Sequence, residues 1–275
     1  MTLTQASDAS SRKPEKSGAA HEFVEVVKTI LWALGIALVL RVLLFQPFTI
    51  PSASMEPALY EGDYIIVSKW PYGYSRHSIP LSPPVFDGRI VGRTAQRGDI
   101  VVFKLPRDDR TDYIKRVIGL PGDRIRVVND RVFVNGEQSK YTLESAPKRE
   151  PSCGGIAPPS SVRVVTETLP SGFSHVLQDC FQRDDLQLDA MLLDDAGEPK
   201  TYIVPAGHYF TMGDNRDNSL DSRFPEYYGV GMVPAENLVG KAELVLLSWT
   251  PEASLFKPWT WVTELRPSRF FTRLR

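Results

Sequence analysis

Hydrophobic positions fall into two regimes along the chain. From Val26 to Phe45 the run Val-Val-Lys-Thr-Ile-Leu-Trp-Ala-Leu-Gly-Ile-Ala-Leu-Val-Leu-Arg-Val-Leu-Leu-Phe is apolar almost throughout. A helix of about 20 residues is roughly 30 Å long, the thickness of a bilayer's hydrocarbon core, so the pattern predicts one transmembrane helix over 26–45. Lys28 and Arg41 lie toward its ends, where long stems let the charges reach the interface. A cleaved signal peptide would show a shorter apolar stretch and then small residues. Here Gln46-Pro-Phe-Thr-Ile-Pro51 follows, with bulky residues, which favours an uncleaved anchor. Residues 1–25 carry no large apolar cluster over most of their length and are expected to be a disordered tail.

After residue 45 the pattern shortens to runs of β-branched and aromatic residues bounded by Gly, Pro, Asn and Asp. Tyr64–Ser68, Ile100–Phe103, Tyr113–Leu120, Ile125–Val128, Arg131–Val134, Val162–Thr166, His208–Met212 and Ala242–Trp249 read as strands, with Asn129-Asp130 as a hairpin turn. No helical period of ten or more residues follows the anchor, so 46–275 is expected to be a mainly β domain. The stretch 137–200 is richer in Ser, Pro, Asp and Gln and reads as a smaller inserted subdomain.

Charge and composition narrow the function. Lys plus Arg is 32 and Asp plus Glu 33, giving a net charge of -1, which argues against a nucleic-acid partner. Arg12, Lys13, Lys16 and Lys28 lie on the N-terminal side of the apolar run, and no Lys or Arg occurs between Gln46 and Ser68. Positive residues stay inside, so the tail is expected in the cytoplasm and the β domain outside. The export of that domain would permit a disulfide between Cys153 and Cys180. Two cysteines do not suggest a zinc site, and no metal or cofactor is expected. Near the C-terminus Trp249, Trp259, Trp261, Phe270 and Phe271 mix with Arg266, Arg269, Arg273 and Arg275, a combination that suits either a membrane interface or a packed final strand.

Three segments carry candidate chemistry. Ile50-Pro-Ser-Ala-Ser-Met-Glu-Pro-Ala-Leu59 sets two serines around a small residue directly after the anchor. Alone it could be turn chemistry, and a nucleophilic serine needs a base. His21 would lie on the wrong side of the membrane; His77, His175 and His208 sit in no triad-like setting, and Gly-x-Ser-x-Gly is absent. Lys115, inside the apolar run Tyr113-Ile-Lys-Arg-Val-Ile-Gly-Leu120, is the other candidate, since burial lowers an amine's pKa. An exposed edge-strand lysine is the competing reading. Gly213-Asp-Asn-Arg-Asp-Asn-Ser-Leu-Asp-Ser-Arg223 is a dense polar loop without the EF-hand spacing.

Together these segments, with Arg97-Gly-Asp-Ile-Val-Val-Phe103 and Gly119-Leu-Pro-Gly-Asp123, resemble in order the boxes of the bacterial type I signal peptidases. The resemblance spans roughly 40–245 and implies a signal-peptidase-like β fold. It implies Ser54 as nucleophile and Lys115 as general base, with Ser52 and the Ser54 N–H at the oxyanion. Ser219 would hydrogen-bond the lysine amine, and Asp221 and Arg223 would form a supporting ion pair. Phe48, Ile50, Leu59 and Ile114 would line shallow pockets, and an extended substrate would pair beside Asp112, Tyr113 and Ile114. The implied activity is a membrane-bound serine endopeptidase that removes signal peptides after Ala-x-Ala-type sites through an ester acyl-enzyme. Its partners would be signal-peptide-bearing preproteins, membrane lipids and the export machinery. Its place would be the bacterial inner membrane, single-pass, with the catalytic domain on the periplasmic face. The family's best-studied members have two anchors where this sequence shows one. The competing readings are a membrane-tethered peptide-binding β module without activity and a self-cleaving regulator of the SOS-repressor kind. The presence of both Ser54 and Lys115 weighs against the first, and an anchor where a DNA-binding domain would stand weighs against the second.

Overall fold

The computed structural model describes residues 18–144, 162–180, 191–253 and 256–274, and its contacts divide the chain into two units, 1–41 and 42–275. The first is built on α1 (Gly18–Leu43). Its segment His21–Leu43 has a mean hydropathy of 2.1 and is long and apolar enough to cross a membrane. Phe23, Leu31, Trp32 and Leu34 are all exposed. The helix begins at Gly18, so residues 18–25 of the expected disordered tail are helical, and it ends two residues before the expected Phe45, because Pro47 disfavours helical backbone at Gln46 and draws the chain into an extended course.

The second unit is mainly β and antiparallel. Its first strands are β1 (Phe45–Thr49), β2 (Asp63–Ser68), β3 (Ile100–Lys104) and β4 (Asp112–Gly119). β5 (Arg124–Val128), β6 (Arg131–Val134), β7 (Glu137–Gln138) and β8 (Lys140–Leu143) follow. Then come β9 (Val162–Thr168), β10 (Ser174–Cys180) and β11 (Thr201–Ile203). The last are β12 (His208–Met212), β13 (Val233–Pro234), β14 (Leu238–Ser248) and β15 (Thr272–Arg273). A four-residue helix, α2 (Thr260–Thr263), precedes β15.

The main sheet runs β1-β2-β14-β3-β4-β12-β13, with β15 also on β14. A second sheet runs β11-β5-β6-β7 and a third β10-β9-β8. β3 is a continuous apolar run because both its faces are covered. Ile100 and Val102 pack with Ile50, Met55, Leu59 and Ile65, whereas Val101 and Phe103 pack with Tyr72, Val117 and Tyr209. A third cluster joins Ile118, Ile125, Val132 and Phe210. At the β5–β6 turn Asn129 and Asp130 both adopt positive φ, 48° and 61°, the left-handed pair that a two-residue hairpin needs.

Arg266 and Arg269 differ from the interfacial expectation. Arg269 bonds both carboxylate oxygens of buried Asp63, and Arg266 bonds the Glu61 and Trp249 carbonyls. An unpaired Asp63 inside the sheet would be costly, so these charges turn inward; Trp259, Trp261 and Phe271 remain exposed. Cys153, and with it the expected disulfide, lies outside the described residues.

Candidate active site

Ser54 lies on a short 3-10 turn, Ala53–Met55, that follows β1 and Pro51. The turn is pinned by its neighbours: Met55 is fully buried and Ala53 nearly so, while Ser52 stays exposed and Ser54 keeps partial exposure. The Ser52 and Ser54 Oγ atoms are 3.4 Å apart.

Lys115 reaches this turn from β4. Its side chain is almost wholly buried, 3% exposed, and Nζ lies 2.7 Å from Ser54 Oγ. An edge-strand lysine would be solvated; this one sits on a strand paired with β3 on one side and, from Arg116 onward, with β12 on the other. Burial lowers its pKa to about 8. Asp221 and Asp214 pull it back up, and Arg223 pushes it further down. The β4–β12 pairing contains a bulge: Phe210 faces Gly119 while Thr211 faces Val117, so Ile118 is an extra residue on β4. Such bulges re-aim the side chains beside them.

Loop 213–223 closes the site. Asn215 donates from its backbone N–H to the Ser54 carbonyl and from Nδ2 to the Ala53 carbonyl, each at 3.1 Å. Gly213 approaches the same turn so closely that a Cβ there would overlap Ser219 and come 2.5 Å from the Ser54 carbonyl oxygen. Asp221 accepts from the Gly213 N–H at 3.0 Å and forms a two-pronged pair with Arg223 at 2.8 and 2.9 Å. Burial would push the Asp221 carboxyl up, but the Arg223 guanidinium and these hydrogen bonds outweigh it and hold the pKa below the usual carboxylate value. Arg116 and Asp214 form a second buried two-pronged pair at 2.7 and 2.6 Å.

The expected bond from Ser219 to the lysine amine is not formed. Ser219 Oγ is buried and, among the described residues, has no hydrogen-bond partner, because it packs against Gly213 while the amine is directed at Ser54. The residues expected to line a pocket do converge: Ile50 and Leu59 share one apolar cluster with Met55, and Phe48 and Ile114 pack on it. Ile50 and Leu59 are buried at 3% and 0% exposure, so of the four only Phe48 and Ile114 offer surface to an arriving chain. Beside Asp112, Tyr113 and Ile114, β3 occupies one edge of β4, and among the described residues no strand occupies the other.

The histidines are engaged elsewhere. His77 contacts Ser82 and Arg76, His208 contacts the Ala206 carbonyl, His175 lies against Glu167, and His21 is in α1. Among the described residues no group of three or more His, Cys, Asp or Glu side chains is arranged to hold a metal. Sequence reasoning missed Arg116, Asp214 and Asn215 as partners. Arg116 was detectable, since a second charge in an apolar strand demands a counter-charge. Glu167, which binds the Arg216 guanidinium, carried no local signal.

A serine hydroxyl held against a buried amine of lowered pKa has the parts of a serine hydrolase that uses lysine as its base. Comparison with known proteins agrees. The family described as signal peptidase, peptidase S26, matches residues 23–249. Signal peptidase I of Rickettsia felis (strain ATCC VR-1525 / URRWXCal2) is 36% identical over 261 residues, 88% of this chain and 90% of that protein. Signal peptidase I of Pseudomonas fluorescens is 41% identical over 248 residues, 88% of this chain and 78% of that protein. A solved signal peptidase I from Enterococcus faecalis V583 is 26% identical, covering 54% of this chain and 97% of that one, with a TM-score of 0.29, too low to compare the folds. The chain belongs to the signal peptidase family, peptidase S26, whose type I members are serine endopeptidases.

Proposed function

We propose that the protein removes signal peptides from exported preproteins with Ser54 as nucleophile and Lys115 as general base. The 2.7 Å approach of Lys115 Nζ to Ser54 Oγ at a buried position carries this reading. With a pKa of about 8, about a tenth of the amines are neutral at pH 7, against fewer than about one in a thousand at the ordinary lysine value. The neutral amine takes the Oγ proton as Oγ bonds to the scissile carbonyl carbon. The resulting ammonium gives that proton to the departing amine, leaving an ester on Ser54. Water then attacks the ester, again losing its proton to Lys115, and the free hydroxyl returns. The Ser52 hydroxyl and the Ser54 N–H are the donors for the oxyanion, each worth a few kcal/mol in such sites, or about 10²–10³ in rate.

An extended substrate would add to the open edge of β4 at Asp112–Ile114. Phe48 and Ile114 would limit the pockets to small side chains, which supports cleavage after Ala-x-Ala. The apolar α1 supports a membrane tether, and the cationic residues ahead of it support a cytoplasmic N-terminus with the β unit on the outer face of the inner membrane. Exposed Trp259, Trp261 and Phe271 support contact with lipid, and the export machinery is a further partner on this reading. A tethered binding module would have no use for a buried lysine aimed at a serine.

Cleavage of a purified preprotein with an Ala-x-Ala site tests the reading, comparing wild type, Ser54→Ala and Lys115→Ala. Wild type is expected to cut after the final Ala, and each variant to lose several orders of magnitude in kcat/KM. Near-normal turnover by Lys115→Ala would remove the lysine from the reaction. No cleavage by wild type in lipid would favour the binding module.

A further inference from the structure

Gln178, on β10 of the insertion, sits in a short ladder that ends at the nucleophile. Its N–H donates to the Asp214 carbonyl at 2.9 Å, and its carbonyl accepts from the Arg216 N–H at 3.0 Å. The residue thereby enclosed, Asn215, makes both of the 3.1 Å bonds to the Ser54 turn. One strand-like segment, 214–216, is held by the insertion on one edge and holds Ala53 and Ser54 on the other. The Gln178 side chain makes a second connection, with Nε2 3.3 Å from Oε2 of buried Glu56, two residues beyond Ser54.

Side chains lock the same contact. Glu167, on β9, is fully buried and binds the Arg216 guanidinium and the Tyr141 hydroxyl. His175 lies 3.3 Å from Glu167 and 3.6 Å from Asp214. Burial, then Arg116 and Arg216, depress its pKa well below the usual value, so it is neutral here and adds no charge. Phe173, at the β9–β10 turn, stacks on His175 at 5.9 Å and lies under the Arg116 guanidinium at 5.7 Å. Its ring also covers Gly98, whose φ of +96° and missing Cβ allow the approach; a Cβ there would fall 2.5 Å from the ring. A peripheral hairpin would not need a buried carboxylate matched to an arginine of loop 213–223.

We infer that Glu167 and Gln178, two residues of the β9–β10 hairpin, are positioning residues that set the Ser54 turn against Lys115 through segment 214–216. The inference rests on the assignment of Ser54 and Lys115. The backbone ladder survives any side-chain substitution, but losing the Gln178 bond to Glu56, or the Glu167 hold on Arg216, lets the Ser54 turn move away from the amine and admits water to it. Transition-state placement suffers while the pocket and the open β4 edge are untouched, so kcat falls and KM does not. Better solvation also returns the amine toward its ordinary pKa, which moves the acid limb of the pH profile upward.

The experiment uses the full-length protein in lipid with an Ala-x-Ala preprotein and measures kcat, KM, thermal midpoint and the pH profile of kcat/KM. Gln178→Ala and Glu167→Gln are compared with Thr168→Ala, which loosens the same hairpin at its exposed end by removing the 2.8 Å bond to Ser174. Gln178→Ala is expected to lower kcat by about 10- to 100-fold with KM within about twofold, and to raise the acid-limb pKa by about half a unit or more. Glu167→Gln should act in the same direction and Glu167→Asp should restore part of the loss, whereas Thr168→Ala should leave kcat and the limb at wild-type values. Should Glu167→Gln fail to fold, Gln178→Ala decides alone. Wild-type kcat and an unmoved limb in Gln178→Ala, with or without a lower thermal midpoint, would overturn the positioning role. Ser54→Ala in the same assay separates the two assignments: if it stays active, the nucleophile is wrong and this inference falls with it; if it is inactive while Gln178→Ala is normal, only the hairpin's role fails.

Discussion

Ser54 has two surroundings of opposite character. Toward β1 and β2 it meets hydrocarbon: Ile50, Met55, Leu59 and Ile114 in one cluster. Toward loop 213–223 it meets a dense set of charges, Asp214, Arg216, Asp221 and Arg223, nearly all out of contact with water. The apolar side removes water from Lys115 and so lowers its pKa, whereas the charged side would be expected to dominate by Coulomb's law. It does not, because each charge there is matched within a few ångströms: Asp214 by Arg116, Asp221 by Arg223, and Arg216 by Glu167. Paired charges present little net field to the amine, and burial remains the largest influence on it. The polar side holds the Ser54 turn in place, and the apolar side lowers the Lys115 pKa.

Breaking the polar side should cost most. Asp221→Asn leaves Arg223 buried without its counter-charge, a change that typically costs about 3–5 kcal/mol. It also removes the acceptor of the Gly213 N–H. Denaturant unfolding should show that loss together with at least a hundredfold fall in kcat/KM; a stable variant with normal activity would mean that the pair does not hold the loop.

Lys115→Met should change activity and stability in opposite directions. Between pH of about 8 and 10.5 the folded amine is neutral while the unfolded one is protonated, so the unfolded state binds more protons and stability rises with pH across that window. Below about 8 both are protonated and the full cost of burying the ammonium applies. Replacing Lys115 with Met removes that cost and should stabilise the fold at pH 7 by about 1–3 kcal/mol while abolishing cleavage. In wild type the same pKa predicts that kcat/KM rises about tenfold per pH unit up to pH 8 and levels above it. A flat stability profile from pH 8 to 10.5, or a variant less stable than wild type, would contradict the buried amine.

The smallest effect is expected where β10 and the polar loop meet at the Asp179–Asp217 hydrogen bond. Burial, then the hydrogen-bonded Asp217 carboxyl, pushes Asp179 up to about 7; Asp130 adds to this and Arg163 opposes it. A carboxyl with a raised folded pKa holds its proton more tightly when folded, so its contribution is full below about pH 4 and is lost as pH rises through about 7. Asp179→Asn should flatten that slope in thermal unfolding between pH 4 and 7, and an unchanged slope would place its origin elsewhere.

Much of the β unit was legible locally. Arg131–Val134 and His208–Met212 form strands at the expected residues, and Asn129-Asp130 turns between β5 and β6 as its composition indicates. β1 was hidden because Phe45–Thr49 is short, follows the anchor directly and carries Pro47, which argues against a strand. β10 was hidden because Ser174–Cys180 alternates polar and apolar residues too weakly to stand out from a Ser- and Asp-rich stretch. The inward turn of Arg266 and Arg269 was invisible for a related reason: Asp63 lies some 200 positions away in the chain.

The sequence alone determined which chemistry is available: an apolar span, a serine on a Pro-bounded turn, a lysine in an apolar strand and a polar loop, each set by side-chain type and short-range pattern. Only the tertiary structure decided that Lys115 is buried, that its amine rather than Ser219 meets Ser54, and that β10 reaches the Ser54 turn through Gln178 and segment 214–216. These are properties of desolvation and of pairing between residues 61 to 122 positions apart. Both depend on what the folded chain places around a group, which no local window contains.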